Sequence, residues 1–150
     1  MKKELTISAI KDGTVIDHIP SNATFKVADI LDLGGIKSMI SVAANLPSKQ
    51  IGKKGIVKIE GKYLTQEEVN KIAIIAPHAT VNIIENYGVK KKLKVSIPDE
   101  ISRVIKCSNP NCITNVEKIE TRFSVLSKNP LKIKCHYCER DMNKEDIEIV

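Results

Sequence analysis

"TQEEVNKIAIIAPHATVNIIENYGVKKKLKVSIP", residues 65–98, changes its hydrophobic period partway along, and the change decides the fold. The first part is helical. Thr65 and Glu68 have the spacing of a capping box, and Val69, Ile72 and Ala76 recur on one helical face. Pro77 stops such a helix, because it has no N–H to donate and its ring clashes with the preceding turn. Beyond it, "ATVNIIE" reads as a strand, a turn falls around Asn86–Gly88, and "VKKKLKVSIP" reads as the returning strand. The unit is a helix feeding a hairpin.

Upstream, the chain repeats the theme. "ELTISAI", residues 4–10, alternates Leu5, Ile7 and Ala9 with Thr6 and Ser8, a strand pattern. "KDGT" turns, and "TVIDHI" runs on extended. "SNATFKVADILDLGG", residues 21–35, reads as a helix that Ser21 or Asn22 can cap. Its expected apolar face is Phe25, Ala28 and Leu31, and Gly34-Gly35 is its expected stop. "KSMISVAANLPS" alternates Ile40, Val42, Ala44 and Leu46 as a strand. "GIVKIEG" is another, with Val57 and Ile59 on one face and Lys58 on the other. The order β-α-β-β-α-β predicts an α+β domain of ferredoxin-like type, an antiparallel sheet with two helices, over residues 1–97.

After "SIPDEIS" the composition shifts to short strands and turns around four cysteines, so a second, small all-β domain of zinc-ribbon-like type is expected over residues 98–150. Cys107 and Cys112 form a C-x4-C pair, and Cys135 and Cys138 form a C-x2-C pair after a 22-residue spacer. Tetrahedral zinc takes thiolates delivered as two close pairs on tight turns. Two disulfides are the alternative, and a reducing compartment disfavours them. Four protein thiolates leave no open position for water, so one zinc ion per chain is expected in a structural role.

The 150 residues carry 42% hydrophobic and 28% charged side chains, a globular balance, with a net charge of +6. The positive charge suits anionic partners, although on charge alone a solvated lysine-rich face is the stronger reading. Aromatics are 3% and tryptophan is absent, which weakens a stacking platform for single-stranded nucleic acid. No apolar run reaches membrane-spanning length and the N-terminus lacks a sustained apolar core, so cytoplasmic residence is expected.

Signs of catalysis are thin. "IGKKG" has the wrong spacing for a phosphate loop, no G-x-G-x-x-G or G-x-S-x-G occurs, and His18, His78 and His136 are scattered. Asp17 and His18 are adjacent in "GTVIDHIP". Neighbours in a regular strand point to opposite faces, which argues against a carboxylate–imidazole relay between them. An enzyme and a basic zinc-ribbon nucleic-acid binder remain rival readings of these residues.

"AIKDGTVIDHIP", "NLPS", "IVKIEG", "APHATVNIIENYGVKKK" and the C-x4-C/C-x2-C tail, in this order, closely resemble the regulatory chain of aspartate carbamoyltransferase over essentially the whole length. The resemblance implies a non-catalytic subunit of pyrimidine synthesis. Its first domain would bind nucleotide effectors (CTP and ATP, with UTP a further candidate) and form a homodimer. Its zinc domain would dock on catalytic trimers; neither nucleic acid nor membrane is implied as a partner. By matching motif, the implied effector site comprises Ile7, Ala9, Ile10, Asp17, His18, Lys58, Asn82, Ile84, Tyr87, Val89 and Lys92. The implied ligands of zinc are Cys107, Cys112, Cys135 and Cys138. Glu4 stands where the family often has a lysine beside the base, so the resemblance leaves effector preference open.

Overall fold

The structure is a computed structural model that describes residues 9–31, 37–49 and 52–149. The chain divides into two compact units, Met1–Ser96 and Ile97–Val150.

The first unit is a five-stranded sheet in the order β2-β3-β1-β4-β5, every neighbouring pair antiparallel. Its strands are β1 (Gly13–Pro20), β2 (Ile40–Ser48), β3 (Gly52–Glu60), β4 (Thr80–Glu85) and β5 (Gly88–Lys94). Helix α1 (Thr24–Ile30) follows β1, and α2 (Gln66–Ile75) follows β3. This is the expected ferredoxin-like arrangement, extended by β5 at one edge. One sheet face packs Ile16, Val57, Ile59 and Val81 against Val27 of α1 and Val69 and Ile72 of α2, all fully buried. Each such side chain contributes about 1.5–3 kcal/mol by leaving water. Thr14 is also fully buried, and it is satisfied: its hydroxyl donates to the Lys62 carbonyl at 2.7 Å and accepts from the Leu64 N–H at 3.2 Å. That pair ties β1 to the segment leading into α2.

The α2 reading holds. The Thr65 hydroxyl accepts from the Glu68 N–H and the Glu68 carboxylate accepts from the Thr65 N–H, so the capping box is formed. The α1 reading needs correction. Its buried residues are Thr24, Val27 and Ile30 with Leu31, while Phe25 is 66% exposed. The cause lies at Thr24, whose hydroxyl donates back to the Ser21 and Pro20 carbonyls and whose side chain sits where Gly55 has no Cβ. That seat rotates the seven-residue helix by one position. Neither Ser21 nor Asn22 caps it; the Ser21 hydroxyl accepts from the Asn45 N–H instead.

Strand β2 departs from strict alternation, because its pairing shifts between Ala43 and Leu46 and Asn45 sits at φ +62°. The strand expected at residues 4–10 lies mostly outside the described residues, and Ala9 and Ile10 belong to no strand. The expected Gly34-Gly35 stop also lies outside the described residues.

The second unit is β-rich, as expected. Strands β6 (Glu100–Ser102), β8 (Arg122–Lys128), β9 (Leu131–Cys135) and β10 (Asp141–Asn143) form an antiparallel sheet in the order β10-β9-β8-β6. Strands β7 (Ile105–Lys106) and β11 (Glu148–Ile149) pair separately, and α3 (Ile113–Val116) is a single short helix. Phe123, Ile105, Ile133 and Met142 supply a small core beside three of the four cysteines. Among the described residues, no helix is long and apolar enough to cross a membrane.

Candidate functional site

Turns deliver the four cysteines to one point. The first knuckle spans Cys107–Cys112 and is closed by the Cys112 N–H donating to the Asn109 carbonyl at 3.0 Å. The second follows β9 and is closed by the Glu139 N–H donating to the Cys135 carbonyl at 3.0 Å. All four Sγ atoms lie within 4.8 Å of one another. Cys107 and Cys138 are 3.6 Å apart, Cys112 and Cys135 3.7 Å apart. A disulfide needs about 2.05 Å, so neither pair is bonded. A tetrahedron with metal–sulfur bonds of about 2.3 Å has edges of about 3.8 Å, and these separations fit it.

The electrostatics ask for a cation. Burial pushes the Cys107 thiol up to about 12 and raises Cys135 as well. At Cys138 burial also acts upward, but the Arg140 backbone N–H, Asn109 and the Cys107 and Cys135 sulfurs outweigh it and bring the thiol down to about 7. Without a metal the Cys107 and Cys135 sulfurs keep their protons; a divalent ion would displace them and supply the missing counter-charge. The donor set is all thiolate and closed, which is the chemistry of a structural zinc site.

The other cluster lies in the first unit, on the sheet face opposite the helices. Register places its residues in rows. One row crosses four strands as Lys58, Val15, Asn82 and Lys92. The next contains Asp17, Thr80 and Lys94, and on the other side come Gly13, Ile84 and Val89. Side chains paired in this way share a face. The structure therefore brings together Asp17, Lys58, Asn82, Ile84, Val89 and Lys92. The side-chain oxygen of Asn82 is buried and has no hydrogen-bond partner among the described residues.

Asp17 and His18 overturn the alternation expected of them. Ile16 pairs with Val57 and Ile19 with Gly55, which leaves Asp17 and His18 together opposite Ile56. This is a β-bulge, with His18 at φ +57°. The His18 ring meets the Thr80 hydroxyl at 3.0 Å, and Thr80 is paired with Asp17, so both side chains serve one face. No relay results: Asp17 accepts from the His18 backbone N–H at 2.6 Å and pairs with the Lys54 ammonium at 2.9 Å.

Three other expected residues stand off these rows. Tyr87 lies in the β4–β5 turn at φ +68°, 67% exposed, and its N–H donates to the Lys11 carbonyl at 2.9 Å. Ala9 is exposed and Ile10 buried, just ahead of β1. Ile7 and Glu4 lie outside the described residues. Lys54 and Thr80 were missed. Lys54 sits in the "IGKKG" segment that fails as a phosphate loop, and only the register past the bulge shows that it reaches Asp17.

A ferredoxin-like unit with a lysine-bearing open face, joined to a unit organised by a tetrathiolate centre, defines a metal-stabilised two-unit α+β protein. Comparison with known proteins narrows that class. Residues 5–96 match the family described as aspartate carbamoyltransferase regulatory chain, allosteric domain, and residues 99–148 match its metal binding domain. Relatives described as aspartate carbamoyltransferase regulatory chain include one from Pyrococcus horikoshii, 59% identical over 96% of both chains. One from Thermococcus onnurineus is 54% identical over 96% of both, and one from Bacteroides fragilis is 48% identical over 99% of this chain and 97% of its own. The chain belongs to the family of aspartate carbamoyltransferase regulatory chains, and the tetrathiolate is its structural metal site, zinc in this family.

Proposed function

We propose that this chain is a non-catalytic, cytoplasmic subunit that carries nucleotide signals to the catalytic chain of aspartate carbamoyltransferase. Residues 1–97 form the effector domain and pair with a second copy; residues 98–150, held by zinc, dock on catalytic trimers. CTP and ATP are the effectors, with UTP a further candidate. The observation that supports this most is the row Lys58–Val15–Asn82–Lys92, which joins cations at both ends to a buried acceptor that has no partner among the described residues. Lys92 and Lys94 suit the phosphates through charge-assisted bonds. The Asn82 oxygen suits a donor on the base or ribose. Asp17, His18, Ile84 and Val89 lie in the adjoining rows, while Ile7, Ala9, Ile10 and Tyr87 belong to the proposal through the family resemblance.

Calorimetric titration of the full chain with CTP and ATP tests it. Saturable binding, weakened about tenfold by Lys92→Ala, is expected, because a hydrogen bond to a charged group contributes about 1.5–3 kcal/mol. Absence of binding by the zinc-loaded chain would remove the effector role. Co-purification with the catalytic chain tests docking separately; failure to form a complex with zinc present removes that role.

A further inference from the structure

The two metal knuckles are held by different kinds of bond. The second is closed by main-chain groups alone: Glu139 N–H to the Cys135 carbonyl, and Cys135 N–H to the Arg140 carbonyl, both at 3.0 Å. The first loop is longer, with four residues between its cysteines rather than two. It adds four side-chain bonds to its main-chain closure. The Asn115 amide donates to the Cys107 carbonyl at 2.9 Å and to the Asn109 carbonyl at 2.6 Å. Both partners are acceptors, so the amide nitrogen must face them. The Asn109 oxygen accepts from the Asn111 N–H at 3.0 Å, and the Thr114 hydroxyl donates to the Cys112 sulfur at 3.2 Å.

Asn115 thus spans the loop from its first cysteine to its middle, while Thr114 holds its last cysteine. Both residues are only half-buried, and they border a cavity of about 290 Å³ that reaches Lys106 and Thr121. Apolar packing does not seal the loop on that side. The Cys107 carbonyl is thus held by a side chain, whereas the Cys112 carbonyl accepts from the Asn115 and Val116 N–H groups and the second knuckle is closed by main-chain groups.

We infer that the metal leaves and enters this chain through the first knuckle, with Asn115 as its latch and Thr114 as a positioning donor to the Cys112 thiolate. A donor to a ligating sulfur orients it and offsets its charge, and loss of such outer partners typically costs about 10–100-fold in metal affinity. Opening the latch would free the Cys107 end first, because the Cys112 carbonyl stays bonded to the Asn115 and Val116 N–H groups at 2.8 and 3.1 Å. The latch rests on the metal centre described above, and the experiment separates the two.

The test uses the full chain loaded with zinc, and release to a chromogenic chelator is followed with time. Stoichiometry comes first: one zinc per chain is expected, and a chain that retains none overturns the metal centre and the latch with it. Asn115→Ala should then release zinc about tenfold faster, and Thr114→Val should also release it faster, while Thr114→Ser, which keeps the hydroxyl, returns to within about twofold of the parent. His136→Ala, inside the second knuckle, should leave the rate unchanged. Cobalt-loaded samples should keep tetrahedral tetrathiolate bands in every variant, which separates faster opening from a lost ligand. Equal rates in parent, Asn115→Ala and Thr114→Val overturn the proposal, as does acceleration by His136→Ala matching that of Asn115→Ala. If Asn115→Ala does not fold, Thr114→Val and Thr114→Ser decide it.

Discussion

A non-glycine residue held at positive φ costs about 1–2 kcal/mol, and His18 at +57° is such a residue inside a strand. The bulge that holds it there turns Asp17 and His18 onto one face, where a straight strand would have split them. The pair was visible in "GTVIDHIP", but its geometry was not. Period-2 reasoning has no means of knowing that Ile56 faces two residues. The same blindness hid Thr80, which becomes a partner of His18 only through the bulge. Two substitutions test the arrangement. Asp17→Ala should weaken nucleotide binding in a calorimetric titration and leave the zinc content at one per chain. Thr80→Val, which keeps the shape but removes the hydroxyl, should also weaken binding, by about fivefold if one hydrogen bond is lost. If Asp17→Ala instead abolishes folding or metal content, the stretch is structural.

Among the elements, α2 and the β4–β5 hairpin were the legible ones. The capping box, the apolar spacing and Pro77 all point to the same helix, and agreement among local signals is what makes a segment readable. Thr65→Ala removes the cap and should cost about 1 kcal/mol, seen as a lower denaturant midpoint with unchanged slope. The face of α1 was misread because a tertiary contact sets it. A Cβ on Gly55 would fall 1.7 Å from the Thr24 hydroxyl oxygen, so β3 and α1 approach too closely for any side chain there. Gly55→Ala should therefore destabilise the first unit by about 1–3 kcal/mol, the usual cost of overpacking. A thermal midpoint equal to the parent's would mean that the close approach is easily relieved. Nothing in "GKKGIV" marks this glycine as different from a turn glycine.

At the scale of the molecule, the second unit is too small to rest on burial alone, and structural zinc can supply on the order of 10 kcal/mol to such a unit. Its cysteine spacing was fully legible, since ligand chemistry leaves its mark directly in residue type and separation. The sheet rows of the first unit were not, because register follows from pairing across distant strands. The protonation of the cysteines gives the metal centre a pH sign. Burial raises Cys107 to about 12, so metal binding must expel its proton, and affinity falls as pH falls. Acidification in the presence of chelator should unfold the second unit at a pH where the first still gives its ordinary spectrum. Loss of both units at one pH would contradict this.

Regulation itself requires unequal binding of the effector to two states of the assembly, and a coupling of about 1–3 kcal/mol suffices. The most direct measurement is the aspartate saturation curve of the proposed complex between this chain and the catalytic chain of aspartate carbamoyltransferase, recorded with and without CTP and ATP. The account predicts a nucleotide-dependent shift of the half-saturating aspartate concentration, lost in a complex carrying Lys92→Ala. A fully formed, zinc-loaded complex whose curve no nucleotide moves would contradict it.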